Sequence, residues 1–254
     1  MGLRRIMEHC IGREQERRKT PMIERPDRAM LVIPHPDDAE GGVGGTVAKW
    51  VAEGTEFVFV LCTNGNKGTS DPEMTMERLA KIREGEQAEA AASLGVKEVI
   101  FLGYGDGELE DTREFRGELV HAIRKHKPQV VFCTDPFRQT FYMHRDHRLS
   151  GQVTLDAVFP YARDFLHYHE HIRDEGLETH KVADVLMWGT EHPDTFIDIT
   201  DTIEDKINAL KKHNSQLGDS GRNVDNFVKQ NAQRQGQMAN MTYAEGFRRI
   251  HFRG

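Results

Sequence analysis

The sequence predicts an α/β fold of the Rossmann-like type, a mostly parallel sheet with helices on both faces. Short apolar runs typical of buried strands alternate with longer segments of strong helix formers. The links between these segments are short and contain Gly, Pro or Asn. The 254-residue chain also has 13 Phe, 5 Tyr and 2 Trp, which is ample material for a core. Strands and helices that alternate in this way build a parallel sheet covered on both faces.

The first half of the chain alternates regularly between predicted strands and helices. The predicted strands span residues 29–33, 57–63, 98–102 and 129–134. The predicted helices between them span residues 46–53, 76–94 and 114–127, and end at Gly54, Gly95 and Pro128. A glycine-rich run, residues 41–45, leads into the first of these helices. It fails the dinucleotide fingerprint, because the last required glycine position is Val47.

The second half is predicted to extend this sheet and to cover its functional edge. A helix is expected from about residue 147 to 159, strands at 183–188 and 195–199, and helices from 202 and from about 224. The sequence has no internal repeat and no Pro- or Ser-rich linker. We therefore predict one domain over residues 29–254, preceded by a polar N-terminal arm over residues 1–28.

Composition and chain ends argue against several classes of protein. The formal net charge is −7, whereas a general nucleic-acid binder carries a basic surplus. The first 20 residues are charged and have no apolar core of a signal peptide, and no apolar stretch is long enough to span a membrane. Cys10, Cys62 and Cys133 are an odd, widely spaced set that favours reduced thiols. We expect a cytoplasmic protein that binds neither nucleic acid nor membrane.

Two clusters of residues that commonly bind metal ions follow predicted strands. His35-Pro36-Asp37-Asp38 comes directly after the first strand, and His144-Arg145-Asp146-His147 follows the fourth strand after a loop. In open parallel sheets, ligands bind beyond the carboxyl ends of the strands. We therefore expect both clusters at one edge of the sheet.

The spacing within these clusters favours a catalytic metal site. Such a site needs three protein ligands and an open position, which His35, Asp38 and His147 can supply. Asp37 would then stay free to take a proton from a water activated by the metal. His144 can face the same cavity, with Asp146 holding its imidazole in one tautomer. The alternative is structural, since Asp-Asp after Pro also caps helices and closes turns.

Several segments of the sequence resemble those of a known family, the LmbE/PIG-L zinc-dependent N-acetylglucosamine deacetylases. The segments that carry the resemblance run in order from Ala29 to Val158. They are Pro34-His-Pro-Asp-Asp-Ala-Glu40 with Gly44-Gly45, Thr63-Asn-Gly65, Arg83-x-x-Glu86, Leu94-Gly95-Val96, Leu102-Gly103 with Asp106-Gly107, and His144-x-Asp146-His147-Arg148. Weaker similarity extends to residues 211–216 and 243–247. Two departures are Arg145, where the family commonly has Pro, and Ala39, which separates the Asp pair from Glu40.

The resemblance implies a role for each matching residue. One Zn²⁺ per chain would be held by His35, Asp38 and His147, with Asp37 as the general base. His144 would stabilise the oxyanion or protonate the leaving amine, steadied by Asp146. Tyr142 is similar to a tyrosine that polarises the carbonyl in some members, and Arg83 and Asp106 match positions that hold the sugar in some members.

The implied function is removal of acetyl from an N-acetylated amino sugar, such as the N-acetylglucosamine moiety of a small glycoconjugate or chito-oligosaccharide. The alternatives are a zinc amidase acting on a sugar–thiol conjugate, and a catalytically silent sugar- or metal-binding protein. Members often form homo-oligomers, so a trimer or hexamer is expected. A histidine run, His167, His169 and His171, can bind a second metal on a strand face, but a solvated surface or subunit contact is the favoured interpretation.

Overall fold

The computed structural model describes residues 23–140, 142–218 and 223–252. Most of the predicted N-terminal arm, including Cys10, lies outside the described residues. None of the described helices is both long and apolar enough to cross a membrane. Cys62 and Cys133 are buried free thiols.

In the described part of the chain, seven strands form one mixed sheet, which confirms the predicted fold class. They are β1 (Arg28–Ile33), β2 (Glu56–Thr63), β3 (Glu98–Tyr104), β4 (Val130–Thr134), β5 (Asp184–Trp188), β6 (Thr195–Asp198) and β7 (Ala244–His251). The strand order is β3-β2-β1-β4-β5-β7-β6. The first five strands of this order are parallel, and β7 runs antiparallel between β5 and β6. Strand β7 was not predicted from the sequence.

Eight α-helices are described in residues 23–252, and most match predicted ones. They are α1 (Asp38–Ala52), α2 (Met76–Ser93), α3 (Arg113–His126), α4 (Arg145–Asp156), α5 (His169–Glu175), α6 (Ile203–Leu210), α7 (Asn214–Leu217) and α8 (Val224–Ala239). A π-helical turn, Ala157–Ala162, follows α4, and a 3₁₀ turn, Thr200–Thr202, precedes α6. His169 and His171 begin helix α5, so the interpretation of this run as a strand face is wrong.

Apolar side chains alternate between the two faces of the central strands and create a core on each side. In β1, Leu31 and Ile33 pack on one face with α1 and α6, whereas Met30 and Val32 pack on the other with α3. All four are fully buried. Burial on both faces explains why these strands appear in the sequence as continuous apolar runs.

The glycine-rich run lies inside α1, not before it. The helix begins at Asp38, eight residues earlier than predicted. A Cβ atom on Gly42 would lie 2.7 Å from the Trp188 ring, and one on Gly45 would lie 2.7 Å from Ile199. These close approaches explain why residues of low helix propensity occupy the middle of a helix.

A buried ion pair anchors α1 to the end of the chain. Lys206 on α6 pairs with Glu245 on β7, and both side chains are almost completely buried. The Glu245 carboxylate accepts hydrogen bonds from the backbone N–H groups of Gly45 (3.0 Å) and Thr46 (2.8 Å). The Lys206 ammonium donates to the carbonyl of Gly41 (2.8 Å). The pair therefore joins α1, α6 and β7.

We expect Lys206→Met to lower the free energy of unfolding by about 3–5 kcal/mol, because it leaves the Glu245 charge buried without its partner. Urea denaturation measures this loss. The matched control is Lys229→Met, which removes the lysine of the surface pair with Glu204 and should leave stability unchanged. Equal stabilities of the two variants would contradict this role of the buried pair.

Candidate metal centre and active site

The two predicted clusters meet where the strand order reverses. Strand β1 pairs with β2 on one side and with β4 on the other. The chain therefore continues from β1 toward one edge of the sheet and from β4 toward the opposite edge. The loop after β1 carries His35, and the loop after β4 leads to α4 and His147. Such a switch point leaves a crevice at the carboxyl ends of the strands, where ligands bind.

Three of the predicted side chains converge on one point. The Nδ1 atom of His35 lies 3.2 Å from Oδ2 of Asp38 and 3.3 Å from Nε2 of His147. Oδ2 of Asp38 lies 3.1 Å from Nε2 of His147. A tetrahedral ion with bonds of about 2.0–2.1 Å requires ligand atoms about 3.3 Å apart. The arrangement of these three atoms therefore fits a small divalent cation such as Zn²⁺.

Helix starts and a buried arginine position these ligands. Asp38 is the first residue of α1, where its carboxylate also accepts the backbone N–H of His35 (3.0 Å). His147 lies in the first turn of α4, and its carbonyl accepts a hydrogen bond from the Thr134 hydroxyl at the end of β4. Nη2 of Arg138 lies 3.1 Å from Nδ1 of His147. The ligands are thus fixed by elements on both sides of the crevice.

Asp146 contacts a different imidazole from the expected one. Its carboxylate lies 3.0 Å from Nε2 of His35 and accepts the backbone N–H groups of Gly107 (2.6 Å) and Leu109 (3.3 Å). Its backbone N–H donates to Nδ1 of His144 (3.2 Å). The expectation that the Asp146 side chain orients His144 is therefore wrong; the carboxylate orients His35, as outer carboxylates often do for metal-binding histidines.

His35 also belongs to a second group of side chains whose atoms could bind a metal ion. Among the described residues, the two groups close enough to hold an ion are His35 with Asp38 and His147, and His35 with Asp106, His144 and Asp146. Neither includes the histidines around α5. Oδ1 of Asp106 lies 3.3 Å from Nε2 of His35 and 3.9 Å from Nε2 of His144. The crevice therefore has ligand-type groups on both sides of one imidazole.

The local charge balance favours a cation. Burial alone would lower the pKa of His35, but hydrogen bonds to Asp106, Asp146 and Asp38 outweigh burial and raise it to about 12. Burial would raise the pKa of Asp38, yet the adjacent His147 and His35 rings hold it well below its usual range. Three carboxylates around one ring leave a surplus of negative charge that a divalent ion can neutralise.

Asp37 lies beside this ligand set but does not belong to it. Its backbone has φ 92°, a left-handed conformation that is uncommon for a residue other than glycine. The side chain lines the same cavity as Asp38 and His147, and its Oδ2 lies 3.4 Å from Nη2 of Arg83. Burial, together with the neighbouring Asp38 charge, raises the pKa of Asp37 to about 7. A carboxyl in this state can exchange a proton near neutral pH.

A chain of buried polar side chains, not predicted from the sequence, supports Asp37. The backbone N–H of Asp37 donates to Oε1 of Gln87 (3.3 Å), and Nε2 of Gln87 donates to Oε1 of Glu40 (2.9 Å). The other Glu40 oxygen lies 3.0 Å from Nε2 of His213, and both of these side chains are completely buried. The signals were present, because Glu40 belongs to the first motif and His213 to the weak similarity at residues 211–216.

Arg83 is placed differently from the expected sugar-binding residue. Its side chain is 4% exposed. The guanidinium donates to the carbonyls of Gly65 (2.9 Å) and Pro36 (2.7 Å). Because these bonds hold the loop that precedes Asp37, the placement does not support the expected contact with a sugar.

Tyr142 and His144 lie at the mouth of the crevice. Tyr142 is 60% exposed, and its ring lies 4.9 Å from that of His147, between ring centres. Burial lowers the pKa of His144, which favours a neutral ring. Arg145, at the start of α4, donates to the carbonyl of Leu109 (3.1 Å). The expected roles of Tyr142 and His144 toward a substrate stay predictions.

A cavity of about 780 Å³ lies beside the cluster of His35, Asp38 and His147. It is lined at one end by Asp37, Asp38 and His147, and it passes Trp188 to reach helix α8. Its volume lies in the upper part of the range of about 300–1,000 Å³ typical of small-molecule sites. The arrangement is that of a metal-dependent hydrolase: a ligand set, a separate carboxyl and room for a substrate.

Known proteins share both the sequence and the fold. Residues 30–158 match the family model PIG-L: GlcNAc-PI de-N-acetylase. The diacetylchitobiose deacetylase of Thermococcus kodakarensis is 35% identical over 222 residues, covering 87% of this chain and 82% of that protein. A 1D-myo-inositol 2-acetamido-2-deoxy-alpha-D-glucopyranoside deacetylase of Actinosynnema mirum is 29% identical, with 76% and 81% covered.

The solved structure of N,N′-diacetylchitobiose deacetylase from Pyrococcus horikoshii superimposes with a TM-score of 0.85 and 30% identity, over 96% of this chain and 92% of that one. The agreement extends far beyond the matched motifs and includes the C-terminal part of the sheet. The resemblance seen in the sequence is thereby confirmed: the chain belongs to the PIG-L/LmbE family of deacetylases.

Proposed function

We propose that this protein is a metal-dependent N-deacetylase that removes acetyl from an N-acetylglucosamine moiety of a small glycoconjugate or chito-oligosaccharide. The observation that carries the proposal is the separation of roles in one cavity. His35, Asp38 and His147 close around a single point, whereas Asp37 stands beside them outside the ligand set. The names of the relatives, which describe deacetylases of N-acetylglucosamine-containing compounds, support the same reaction.

The cation in this proposal is one Zn²⁺ per chain, held by His35, Asp38 and His147. Two imidazoles and a carboxylate are a donor set that zinc accepts readily. When bound, the ion would lower the pKa of water to about 7 and would polarise a carbonyl oxygen. Asp146, through its contact with Nε2 of His35, would keep that imidazole in the orientation needed for binding.

Protein side chains would carry out the two proton transfers of the reaction, from the attacking water and to the departing amine. Asp37 would accept the proton of the attacking water, and the Gln87 contact to its backbone would hold it in place. His144 or Tyr142 would stabilise the negative charge that develops on the amide oxygen. The departing amine needs a proton, which either His144 or the newly protonated Asp37 can deliver.

Acetate release from a panel of N-acetylated sugars tests the proposed function. The metal-loaded protein should release acetate from an N-acetylglucosamine compound, lose that activity on chelation and regain it with added Zn²⁺. Activity that persists after verified metal removal would contradict the metal role. Sugar–thiol conjugates belong in the same panel, because cleavage of these alone would favour the amidase. Metal binding without any hydrolysis would favour the silent binding protein.

The expected homo-oligomer stays a prediction. A trimer or hexamer has three or six times the 29.0 kDa mass of the chain, which light scattering after size-exclusion chromatography distinguishes from a monomer.

A further inference from the structure

The backbone conformation of Asp37 needs support from other residues. Its φ of 92° and ψ of −22° place a residue other than glycine in the left-handed region. Such a conformation persists only where the surrounding structure holds it, and it is found most often at functional sites. The Asp37 N–H donates to Oε1 of Gln87 (3.3 Å), and its carbonyl accepts the N–H of Gly41 (3.1 Å). The direction of the Asp37 side chain therefore depends on where Gln87 is held.

Gln87 is held in turn by a residue from the far end of the chain. Its Nε2 donates to Oε1 of Glu40 (2.9 Å), and Oε2 of Glu40 lies 3.0 Å from Nε2 of His213. All three side chains are completely buried. The described lining of the cavity contains none of them. His213 thus reaches the backbone of Asp37 through two other side chains, without lining the cavity itself.

Stability alone does not require polar side chains at these positions. Replacing both partners of a buried hydrogen bond by apolar groups of the same shape is often nearly neutral or stabilising. Val43 on α1 and Leu210 on α6, three residues from Glu40 and from His213, belong to the apolar core on this side of the sheet. A polar chain that ends at the amide of Asp37 therefore indicates that its role is to hold this residue.

Helix α7, which begins directly after His213, also acts on the side chain of Asp37. Nε2 of Gln216 donates to the carbonyl of Gly68 (3.1 Å). Gly68 packs closely on Arg83, since a Cβ atom on this glycine would lie 2.6 Å from Nη1 of the arginine. Nη2 of Arg83 lies 3.4 Å from Oδ2 of Asp37. Gln216 therefore fixes the loop that packs on the arginine beside the Asp37 carboxylate.

Ser215 fastens α7 to α2, the helix that carries Arg83 and Gln87. Its backbone N–H (2.7 Å) and its hydroxyl (2.6 Å) donate to the two oxygens of Glu86, the residue before Gln87. One short segment, His213–Gln216, thus contacts α1, α2 and the loop after β2. These are the elements that surround Asp37.

We propose that the segment His213–Gln216 positions the catalytic carboxyl of Asp37. Its His213 end acts on the Asp37 backbone through the chain of buried polar side chains. Its Gln216 end acts on the carboxylate through Arg83. Both are positioning residues, because each acts through another side chain. This inference rests on the proposed function, because it concerns the base of the same reaction.

Steady-state kinetics of acetate release test this role. Gln87→Met keeps the shape of the side chain but removes both of its hydrogen bonds. We expect kcat to fall by up to about 100-fold, the loss that a displaced catalytic group causes, with KM and bound metal unchanged. Gln216→Met should lower kcat by about two- to tenfold, the equivalent of one hydrogen bond. Gln233→Met, the same change at an exposed position of α8, should leave kcat and KM unchanged.

Two variants of His213 separate positioning from stability. His213→Gln keeps an N–H donor for Glu40 and should retain most of kcat, whereas His213→Met has no donor and should behave like Gln87→Met. Circular dichroism gives the folded fraction of each variant. A loss of kcat that only follows the unfolded fraction, or an equal loss in both His213 variants, would overturn the positioning role.

Hydrogen–deuterium exchange of the Asp37 amide, followed by NMR, tests the same role without depending on activity. The amide should exchange about two- to tenfold faster in Gln87→Met and His213→Met than in the wild-type protein, because its hydrogen bond is lost or weakened. Faster exchange in a protein that releases no acetate would support the positioning of Asp37 and contradict only the deacetylase function. Unchanged exchange, an unchanged kcat, or metal lost together with activity in Gln87→Met would overturn the inference.

Discussion

Asp37→Asn is expected to lower the rate of acetate release by about 10²–10⁴-fold while the protein keeps its metal. Asparagine has nearly the same shape as aspartate but cannot accept the proton of the attacking water. Asp37 lies outside the group of ligand-type atoms formed by His35, Asp38 and His147. The expected result is therefore a fully loaded but nearly inactive protein, seen in parallel assays of acetate and of bound metal.

Asp205→Asn is the matched control for this variant. Asp205 is an exposed carboxylate on α6, so the same chemical change there should alter neither activity nor metal content. A loss of metal in Asp37→Asn would mean that Asp37 is itself a ligand or holds one in place. Full activity with bound metal would show that another group is the base.

The sequence was most informative where burial alone determines the structure. Strands β1 and β2 are buried on both faces and therefore appear as apolar runs with clear ends. Strand β7 was missed, because Arg248 and Arg249 interrupt its apolar pattern and no apolar run marks it. Its place between β5 and β6 depends on antiparallel pairing with strands about 45 to 65 residues earlier in the chain, which local patterns do not encode.

The start of α1 shows a second limit of sequence patterns. Glycine disfavours helices, so the helix was predicted to begin only after the run at residues 41–45. In the structure Trp188 and Ile199 occupy the space where side chains would otherwise be. Both residues lie far along the chain, and only the assembled sheet brings them to α1.

The sequence predicted which residues form the candidate site, but not which contacts their side chains make. His35, Asp38 and His147 follow strand ends, and the parallel sheet brings such ends together. The partner of Asp146 and the inward direction of Arg83 depend on which way each side chain points after folding. Gln87 was not singled out at all, since a glutamine within a helix of strong formers has no distinctive pattern.

The metal content of His147→Ala and His144→Ala should differ sharply. His147 supplies one of three converging ligand atoms, so its loss should weaken metal binding by more than the roughly 10–100-fold typical of removing an outer partner. His144 lies outside this group, although it belongs to the second one with Asp106 and Asp146. His144→Ala should therefore keep its metal and lose rate.

The metal-to-protein ratio of these two variants, measured by elemental analysis after dialysis, tests the central claim most directly. That claim is that His35, Asp38 and His147 hold one divalent ion, with the catalytic carboxyl beside it. The account predicts about one ion per chain in the wild-type protein and in His144→Ala, and almost none in His147→Ala. Metal lost from His144→Ala but retained by His147→Ala would place the ion in the other group and contradict the account.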